Sequence, residues 1–147
     1  MTRRHFLVQA HSRAPVGTVK ALLDDADRWT RWARPILAQT RWEKWGDPIP
    51  AGPGAVRRLG TWPMWIREQI LTNTDRVQTY TVVSPPLFSH YLGTVELTAA
   101  PDGGTDVSWQ VEFVSRVPGG SGAAYAVLHG TISALAKRLA AAADRSG

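Results

Sequence analysis

The stretch at residues 121–143 constrains the fold of this chain more than any other. Five apolar residues recur in it at steps of three and four, the pattern of one apolar stripe on an amphipathic helix. They are Tyr125, Leu128, Ile132, Leu135 and Leu139. The stretch is rich in alanine, which favours helix formation, and a Pro-Gly-Gly sequence separates it from what precedes. His129 lies within the stripe and Gly130 follows it, so we expect the helix to lie over a hollow rather than over a solid core.

The rest of the chain reads mainly as strands. Residues 4–12 alternate in polarity as a strand does. Two short helices then follow, the second capped by Asp27, carrying Trp29 and Trp32 one turn apart, and stopped by Pro35. Six further strands are predicted before the last helix, at residues 36–45, 55–60, 64–72, 77–84, 88–99 and 105–116.

This order predicts an α+β helix-grip fold. Short connections place successive strands side by side, and an antiparallel sheet of about seven strands tends to curl. The long C-terminal helix would fill the concave side of the curved sheet, with the two short helices inserted after the first strand. We find no repeat and no linker, so residues 1–147 are expected to form a single domain.

Composition narrows the classes of function. The chain has no cysteine, which excludes disulfides and thiolate metal sites and is consistent with a cytoplasmic location. Its formal charge is +5, but the arginines are scattered rather than gathered on one stripe, which disfavours nucleic-acid binding. No run of about 18 apolar residues is present, so no membrane span is expected. The four histidines lack the spacing of metal ligands, so no metal site is predicted.

The parity of the strands predicts which side chains face the helix. In the last strand Val107, Trp109, Val111 and Phe113 share one face, and Glu112 lies on the other. In the strand before it, Tyr91, Val95 and Leu97 point inward, whereas Glu96 and His90 point out. In the strand at 64–72 the inward residues are Met64, Ile66, Glu68 and Ile70.

Two residues are candidates for chemistry. Glu68 is a carboxylate among apolar neighbours, where desolvation would raise its pKa as a general acid or base requires. The structural alternative is a carboxylate hydrogen-bonded to Arg58 or Arg67. His129 could donate to a ligand carbonyl or relay a proton, although a histidine in an apolar stripe is more often hydrogen-bonded and inert.

Several motifs in a fixed order resemble the SRPBCC superfamily. They are Ala14-Pro15 with Val19, Asp27 with Trp29 and Trp32, the segment 54–58, Arg67-Glu68, Tyr80, Tyr91, Gly103-Gly104-Thr105 with Trp109, and Val117-Pro118-Gly119. The chain is similar over nearly its whole length to the START-like, helix-grip proteins of this superfamily, in particular to its bacterial polyketide cyclase/dehydrase-like branch. The resemblance implies a cavity between sheet and helix that holds lipids, polyketides, sterols or other small apolar molecules. It implies no particular reaction, because members of this superfamily include cyclases, dehydratases, carriers and sensors.

We therefore expect a ligand site inside the grip. Its lining is predicted from strand parity, from the helical stripe and from the aromatic residues near the possible entrances. The predicted lining residues are Trp65, Ile66, Tyr80, Tyr91, Trp109, Val111, Phe113, Tyr125, Leu128 and Ile132. Trp62 and Trp65 flank Pro63 in a predicted hairpin turn near one possible entrance. The alternative is that some of the tryptophans fill the hollow, which would leave no room for a ligand.

Three functions remain open on the sequence alone. The first is binding of a small hydrophobic or aromatic molecule without a cofactor. The second is a cyclase/dehydratase-like enzyme, in which Glu68 abstracts a proton beside a carbonyl while Tyr80, Tyr91 or His129 hydrogen-bonds the developing enolate. The third is a ligand-free module for binding a partner, as a monomer or a homodimer.

Overall fold

A computed structural model describes residues 2–61 and 64–146, so Trp62 lies outside the described residues. Seven strands and three helices make up the fold. The strands are β1 (Arg3–Ser12), β2 (Gln39–Lys44), β3 (Val56–Thr61), β4 (Met64–Asn73), β5 (Val77–Ser84), β6 (Phe88–Ala99) and β7 (Thr105–Ser115). The helices are α1 (Val16–Asp24), α2 (Thr30–Ala33) and α3 (Ser121–Ser146), with a 3₁₀ turn (Ala26–Arg28) between α1 and α2.

All seven strands form one antiparallel sheet in the order β1-β7-β6-β5-β4-β3-β2. From β2 to β7 each strand pairs with its neighbour in sequence, as expected for short connections. The first strand, β1, pairs with the last, β7, and Phe6 lies opposite Val111 in this pair. This arrangement confirms the predicted α+β helix-grip fold.

Helix α3 is buried along only one half of its length. Its C-terminal half packs into the core through leucine, isoleucine and many alanines, and small side chains of this kind let a helix approach a sheet closely. The buried residues are Ile132, Leu135, Ala136, Leu139, Ala140, Ala142 and Ala143. In the N-terminal half, residues 121–131, Tyr125 and Leu128 are only half-buried and Val127 is exposed. The concave side of the sheet is therefore covered unevenly.

Polar contacts fix both ends of α3. At its C-terminal end the Asp144 carboxylate accepts hydrogen bonds from Ser12 Oγ at 2.8 Å and from the backbone N–H of Arg13 at 2.7 Å. Before its first turn Gly119 has φ = 71°, a left-handed conformation that glycine adopts without the steric cost of a Cβ. The Arg4 guanidinium donates to Ser121 Oγ at 3.4 Å. These contacts set the helix across β1 and β7.

Three local predictions differ from the structure. Asp27 does not cap the second short helix: the residue before α2 is Trp29, without a side-chain cap, and Asp27 Oδ1 accepts instead from the backbone N–H of Trp42 at 2.8 Å. The predicted strand at 36–45 begins only at Gln39, because the chain first completes a turn in which the Leu37 N–H donates to the Ala33 carbonyl. Met64 was predicted to face inward, and it shares the parity of Ile66 and Glu68, but the residue is 68% exposed. It is the first residue of β4, paired with Thr61 at the end of the sheet, where no element covers it among the described residues.

Candidate functional site

A buried ion pair lies on the concave face where β3 and β4 run side by side. Arg57 and Glu68 are partners in the register of the two strands, so their side chains share one face. Arg57 Nε donates to Glu68 Oε1 at 2.8 Å, with the arginine side chain fully buried and the glutamate 10% exposed. The partner of Glu68 is thus Arg57, not Arg58 or Arg67, which approach Glu43 on the outer face.

Aromatic rings surround the Arg57 guanidinium. Its Cζ lies 4.6 Å from the centroid of the Trp29 ring and 4.7 Å from that of Tyr80, both within cation–π range. Nη1 donates to Gln78 Oε1 at 3.0 Å. Nη2 is buried and has no hydrogen-bond partner within residues 2–61 and 64–146. One strong donor of this cluster is therefore unused.

Tyr80 occupies the floor of the site because Gly93 makes room for it. A Cβ built on Gly93 would lie 2.2 Å from the Tyr80 ring, so only glycine permits this placement of the phenol. The Trp109 indole N–H donates to the Tyr80 hydroxyl at 2.8 Å. The Tyr91 ring follows at 6.0 Å from Tyr80, centroid to centroid. Together these rings form a packed aromatic layer under the ion pair.

Burial shifts the acid–base properties of this cluster. Desolvation raises the pKa of the Glu68 carboxyl above its ordinary value, and the Arg57 charge and hydrogen bond offset part of that rise. Burial also raises the pKa of the Tyr80 phenol well above its usual range, and the Glu68 charge adds to this. The pKa of Tyr91 is raised well above normal for the same first reason. Both phenols are therefore neutral hydrogen-bonding groups at physiological pH.

Half-buried apolar side chains border this cluster toward the N-terminal half of α3. They come from three strands, from the helix and from the segment after α2, and several of them pack against the buried core. We call this set the apolar rim: Ile36, Leu37, Ile66, Val82, Phe88, Tyr125 and Leu128. All of its members are partly accessible, and Val82 is the partner of Glu68 in the register of β4 and β5. The rim residues of β4 and β5 thus lie beside the buried ion pair.

The predicted lining residues separate into three groups. Most are fully covered: Tyr80, Tyr91, Trp109, Val111, Phe113 and Ile132 are buried in the core. Three belong to the accessible rim: Ile66, Tyr125 and Leu128. Trp65 was predicted to line the site near one entrance, but it lies on the outer face of the sheet. It pairs with Gly60 on the outer face, because its parity is opposite to that of Ile66, and its ring lies 4.7 Å from Arg58 Cζ.

His129 does not face the interior as the apolar stripe predicted. The residue is exposed, with its ring stacked on Tyr125 at 5.8 Å and meeting the edge of Phe6 at 5.3 Å. His129 therefore contacts the apolar stripe through the Tyr125 and Phe6 rings while it remains exposed to solvent. His129 thus lies apart from the buried cluster of Arg57, Glu68 and Tyr80, and a catalytic role for Glu68 or His129 stays a prediction.

Arg57 is the site residue that the sequence analysis missed. It stands next to Arg58 in the sequence, and a pair of adjacent arginines is typical of a solvated surface. The available signal was strand parity: Arg57 alternates with Ala55 and Leu59, both of which are buried. That pattern places Arg57 on the buried face and makes it a candidate partner for the inward-facing Glu68.

The other histidines lie outside this cluster. His11 contacts Asp106 Oδ1 at 2.8 Å and Asp102 Oδ2 at 2.9 Å near the β6–β7 turn. His90 faces outward as predicted and contacts Glu112 Oε2 at 3.2 Å. Among residues 2–61 and 64–146 no group of three or more His, Asp or Glu side chains is arranged to hold a metal ion.

Comparison with known proteins places the chain in a family. The sequence profile described as "Polyketide cyclase / dehydrase and lipid transport" matches residues 3–144. The chain belongs to this family. The polyketide cyclase/dehydrase family name covers both enzymes and lipid carriers, so membership supports a hydrophobic ligand without deciding between binding and catalysis.

Solved structures share the fold of this polyketide cyclase/dehydrase family member at low sequence identity. The aromatase/cyclase ZhuI from Streptomyces sp. R1128 is 18% identical with a TM-score of 0.81, covering 98% of this chain and 95% of its own. XoxI from Bacillus cereus is 20% identical with a TM-score of 0.72, covering 97% and 95%. Ara h 8.0201 is 15% identical with a TM-score of 0.66, covering 92% and 96%. A comparison with curated protein sequences gave no match.

No helix within residues 2–61 and 64–146 has the length and hydrophobicity needed to cross a membrane. The longest, α3, carries the charged residues Lys137, Arg138, Asp144 and Arg145 outside its apolar stripe. Its apolar side packs on the sheet instead.

Proposed function

We propose that this protein binds a small hydrophobic or aromatic molecule, lipid- or polyketide-like, on the concave side of the sheet beneath the N-terminal half of α3. The observation that carries the proposal is the juxtaposition of the apolar rim with a buried arginine that has an unused donor. The rim offers apolar surface to a ligand body, and the ion pair offers hydrogen bonds to one polar end.

Two energy terms favour a ligand with an apolar body and one polar end. Covering apolar surface contributes roughly 25 cal/mol per Å², so half-buried rim residues gain from an apolar partner. An unpaired buried donor costs about 1–3 kcal/mol. A ligand oxygen that accepts from Arg57 Nη2 would remove that cost. The preferred ligand therefore carries a carbonyl, hydroxyl or carboxylate oxygen at one end of an apolar or planar body.

The neutral fluorescent probe N-phenyl-1-naphthylamine tests the binding site. Val82 belongs to the rim, whereas its neighbour Val83 is 45% exposed on the other face of β5. We expect Val82→Trp to fill the space at the rim and weaken probe binding at least tenfold. Val83→Trp adds the same indole on the opposite face, so it should leave the affinity within twofold of the unmodified protein.

Two results would overturn this assignment. One is an unmodified protein that does not bind the probe in a saturable manner. The other is equal binding by the two tryptophan variants, which would place the probe elsewhere. Native mass spectrometry of the protein purified from its own source would then identify any retained molecule and its polar group.

A second candidate function is acid–base catalysis of the cyclase/dehydratase kind. The raised pKa of Glu68 beside the neutral phenols of Tyr80 and Tyr91 favours it. Ionised Glu68 would take the proton from the carbon beside a ligand carbonyl, forming a carboxylic acid and an enolate. Arg57 Nη2 would donate a hydrogen bond to the enolate oxygen.

Exchange of the methyl protons of 2-acetonaphthone with D₂O, followed by NMR, measures this step directly. We expect the protein to accelerate exchange and Glu68→Gln to reduce the acceleration at least 100-fold. The glutamine oxygen can still accept from Arg57 Nε, so binding of N-phenyl-1-naphthylamine should persist and report that the variant is folded. Equal exchange rates would exclude Glu68 as the base and leave the binding function standing.

A further inference from the structure

A second concavity lies outside the grip, against the outer side of α1 and the 3₁₀ turn. It has a volume of about 410 Å³ and is bordered by Asp25, Asp27, Arg28, Trp42, Trp45 and Ile49. Trp45 is 60% exposed and Ile49 46% exposed, although both are large apolar residues. We call this feature the Trp45 pocket. Neither Trp45 nor Ile49 belongs to the hydrophobic core or packs against it.

The walls of the Trp45 pocket are held in place by specific contacts. The Trp42 indole N–H donates to the Asp24 carbonyl at 3.0 Å, and its backbone N–H donates to Asp27 Oδ1 at 2.8 Å. The Trp45 ring lies 6.4 Å from that of Trp42 at an angle of 42°. The adjoining loop is closed by the Gly46 N–H, which donates to the Pro50 carbonyl at 2.7 Å. The two indoles are therefore presented by an ordered frame.

The charges of the Trp45 pocket differ from those of the whole chain, which carries +5. Asp24 is neutralised by Lys20 Nζ at 2.6 Å, and Asp25 pairs with Arg28 at 3.1 Å. Asp27 is exposed, and no cationic side chain of residues 2–61 and 64–146 lies within ion-pair distance of it. One uncompensated carboxylate thus stands beside two indole rings.

Indole faces and a carboxylate together match one class of ligand. Cations are attracted to the negative face of a tryptophan ring, and a carboxylate accepts charge-assisted hydrogen bonds from an ammonium group. Apolar surface at Trp45 and Ile49 would cover a short hydrocarbon chain. We propose that the Trp45 pocket binds a small organic ammonium cation with an apolar chain, its nitrogen at Asp27 and its chain along Trp45. This site is separate from the concave site of the proposed function.

Titration with hexylammonium chloride, followed through the indole N–H signals of Trp42 and Trp45 by NMR, tests the proposal. We expect saturable shifts of both signals that weaken as salt is added, because the charges are exposed. Hexanoate has the same chain with the opposite charge and should give no saturable shift. Asp27→Asn and Trp45→Ala should each weaken hexylammonium binding at least tenfold.

Two variants serve as controls. Glu96→Gln removes an exposed carboxylate on β6 and should leave hexylammonium binding within twofold. Val82→Trp should also leave it unchanged, so failure at the concave site and failure at the Trp45 pocket are distinguishable. Equal shifts with hexanoate, or undiminished binding by Asp27→Asn, would overturn the proposal. So would a concentration-dependent dimer that Trp45→Ala dissociates, because a second copy of the chain would then be the occupant.

Discussion

Two adjacent arginines of β3 show how much depends on the face that a single residue occupies. Arg57 is completely buried against Glu68, whereas Arg58 lies on the outer face beside Glu43 and Trp65. Strand alternation predicted correctly that Glu68 points inward. It did not identify the partner of Glu68, because alternation along one strand does not report its register with the neighbouring strand.

The hydrogen bond from Trp109 to Tyr80 is testable at the same scale. Tyr80→Phe removes the acceptor and leaves the indole N–H buried without a partner. We expect the free energy of unfolding to fall by about 1–3 kcal/mol. Urea denaturation followed by circular dichroism measures this change.

Tyr125→Phe is the matched control for that substitution. Tyr125 is half-buried, and its hydroxyl makes no hydrogen bond within the described part of the chain. Its loss should therefore change the free energy of unfolding by no more than about 0.5 kcal/mol. A Tyr80→Phe variant as stable as Tyr125→Phe would mean that water replaces the phenol.

At the scale of elements, the boundaries of most strands could be predicted from the sequence. The structure confirms the strands at Val77–Ser84 and Phe88–Ala99 with the predicted limits, because Asn, Asp, Pro and Gly punctuate both sides of each. The predicted strand at 36–45 began too early, since Ile36 and Leu37 are apolar and look strand-like. In the structure they complete a turn after α2 and join the apolar rim instead.

The N-terminal half of α3 carries a glycine that the helix does not require. A Cβ on Gly130 would meet no heavy atom within 4 Å. Gly130→Ala should therefore stabilise the protein by about 0.5–1 kcal/mol, because alanine loses less backbone entropy in a helix. Thermal unfolding measures the gain.

Gly93→Ala should have the opposite effect, because its Cβ would lie 2.2 Å from the Tyr80 ring. We expect the free energy of unfolding to fall by about 1–3 kcal/mol through overpacking.

The contact between the C-terminal end of α3 and the end of β1 should weaken at acid pH. Hydrogen bonds from the Arg13 N–H and Ser12 Oγ hold the pKa of Asp144 below its ordinary value of 3.8. A lowered folded-state pKa means that the stabilisation is fully present above pH 3.8 and is lost as the pH falls through the folded-state value.

Comparing the unmodified protein with Asp144→Asn by urea denaturation at several pH values measures this dependence. The difference in the free energy of unfolding should be constant near neutral pH and should shrink below pH 3.8. A difference that stays constant through the acid range would show that the carboxylate charge does not hold the helix.

At the scale of the whole molecule, the degree of filling between sheet and helix could not be predicted. The sequence correctly placed Trp109, Val111 and Phe113 on the inner face, but parity does not report how closely opposing side chains meet. In the structure these residues are fully buried. Tyr125 and Leu128, in the N-terminal half of α3, are only half-buried, and periodicity along the helix did not distinguish them from the buried residues of its other half.

Uneven burial of α3 predicts uneven protection of its amides. Hydrogen exchange should be faster at residues 121–131 than at residues 132–143, because the first segment contains no buried residue. Saturation with N-phenyl-1-naphthylamine should slow exchange in the first segment and leave the second unchanged. Mass spectrometry of peptides after timed labelling measures both. Uniform exchange along α3, with or without the probe, would contradict this description.

Among the described strands, β1 and β2 form the two edges of the sheet, each paired on one side only, and this has a consequence for behaviour at high concentration. An exposed edge invites another chain to add a strand and so to begin aggregation. The β2 edge is only six residues long, its register shifts between Trp42 and Lys44, and it carries the charged side chains of Arg41 and Glu43. Charge and irregularity of this kind oppose strand addition, so substitutions that straighten or neutralise β2 would favour fibrous assembly even where they strengthen the fold.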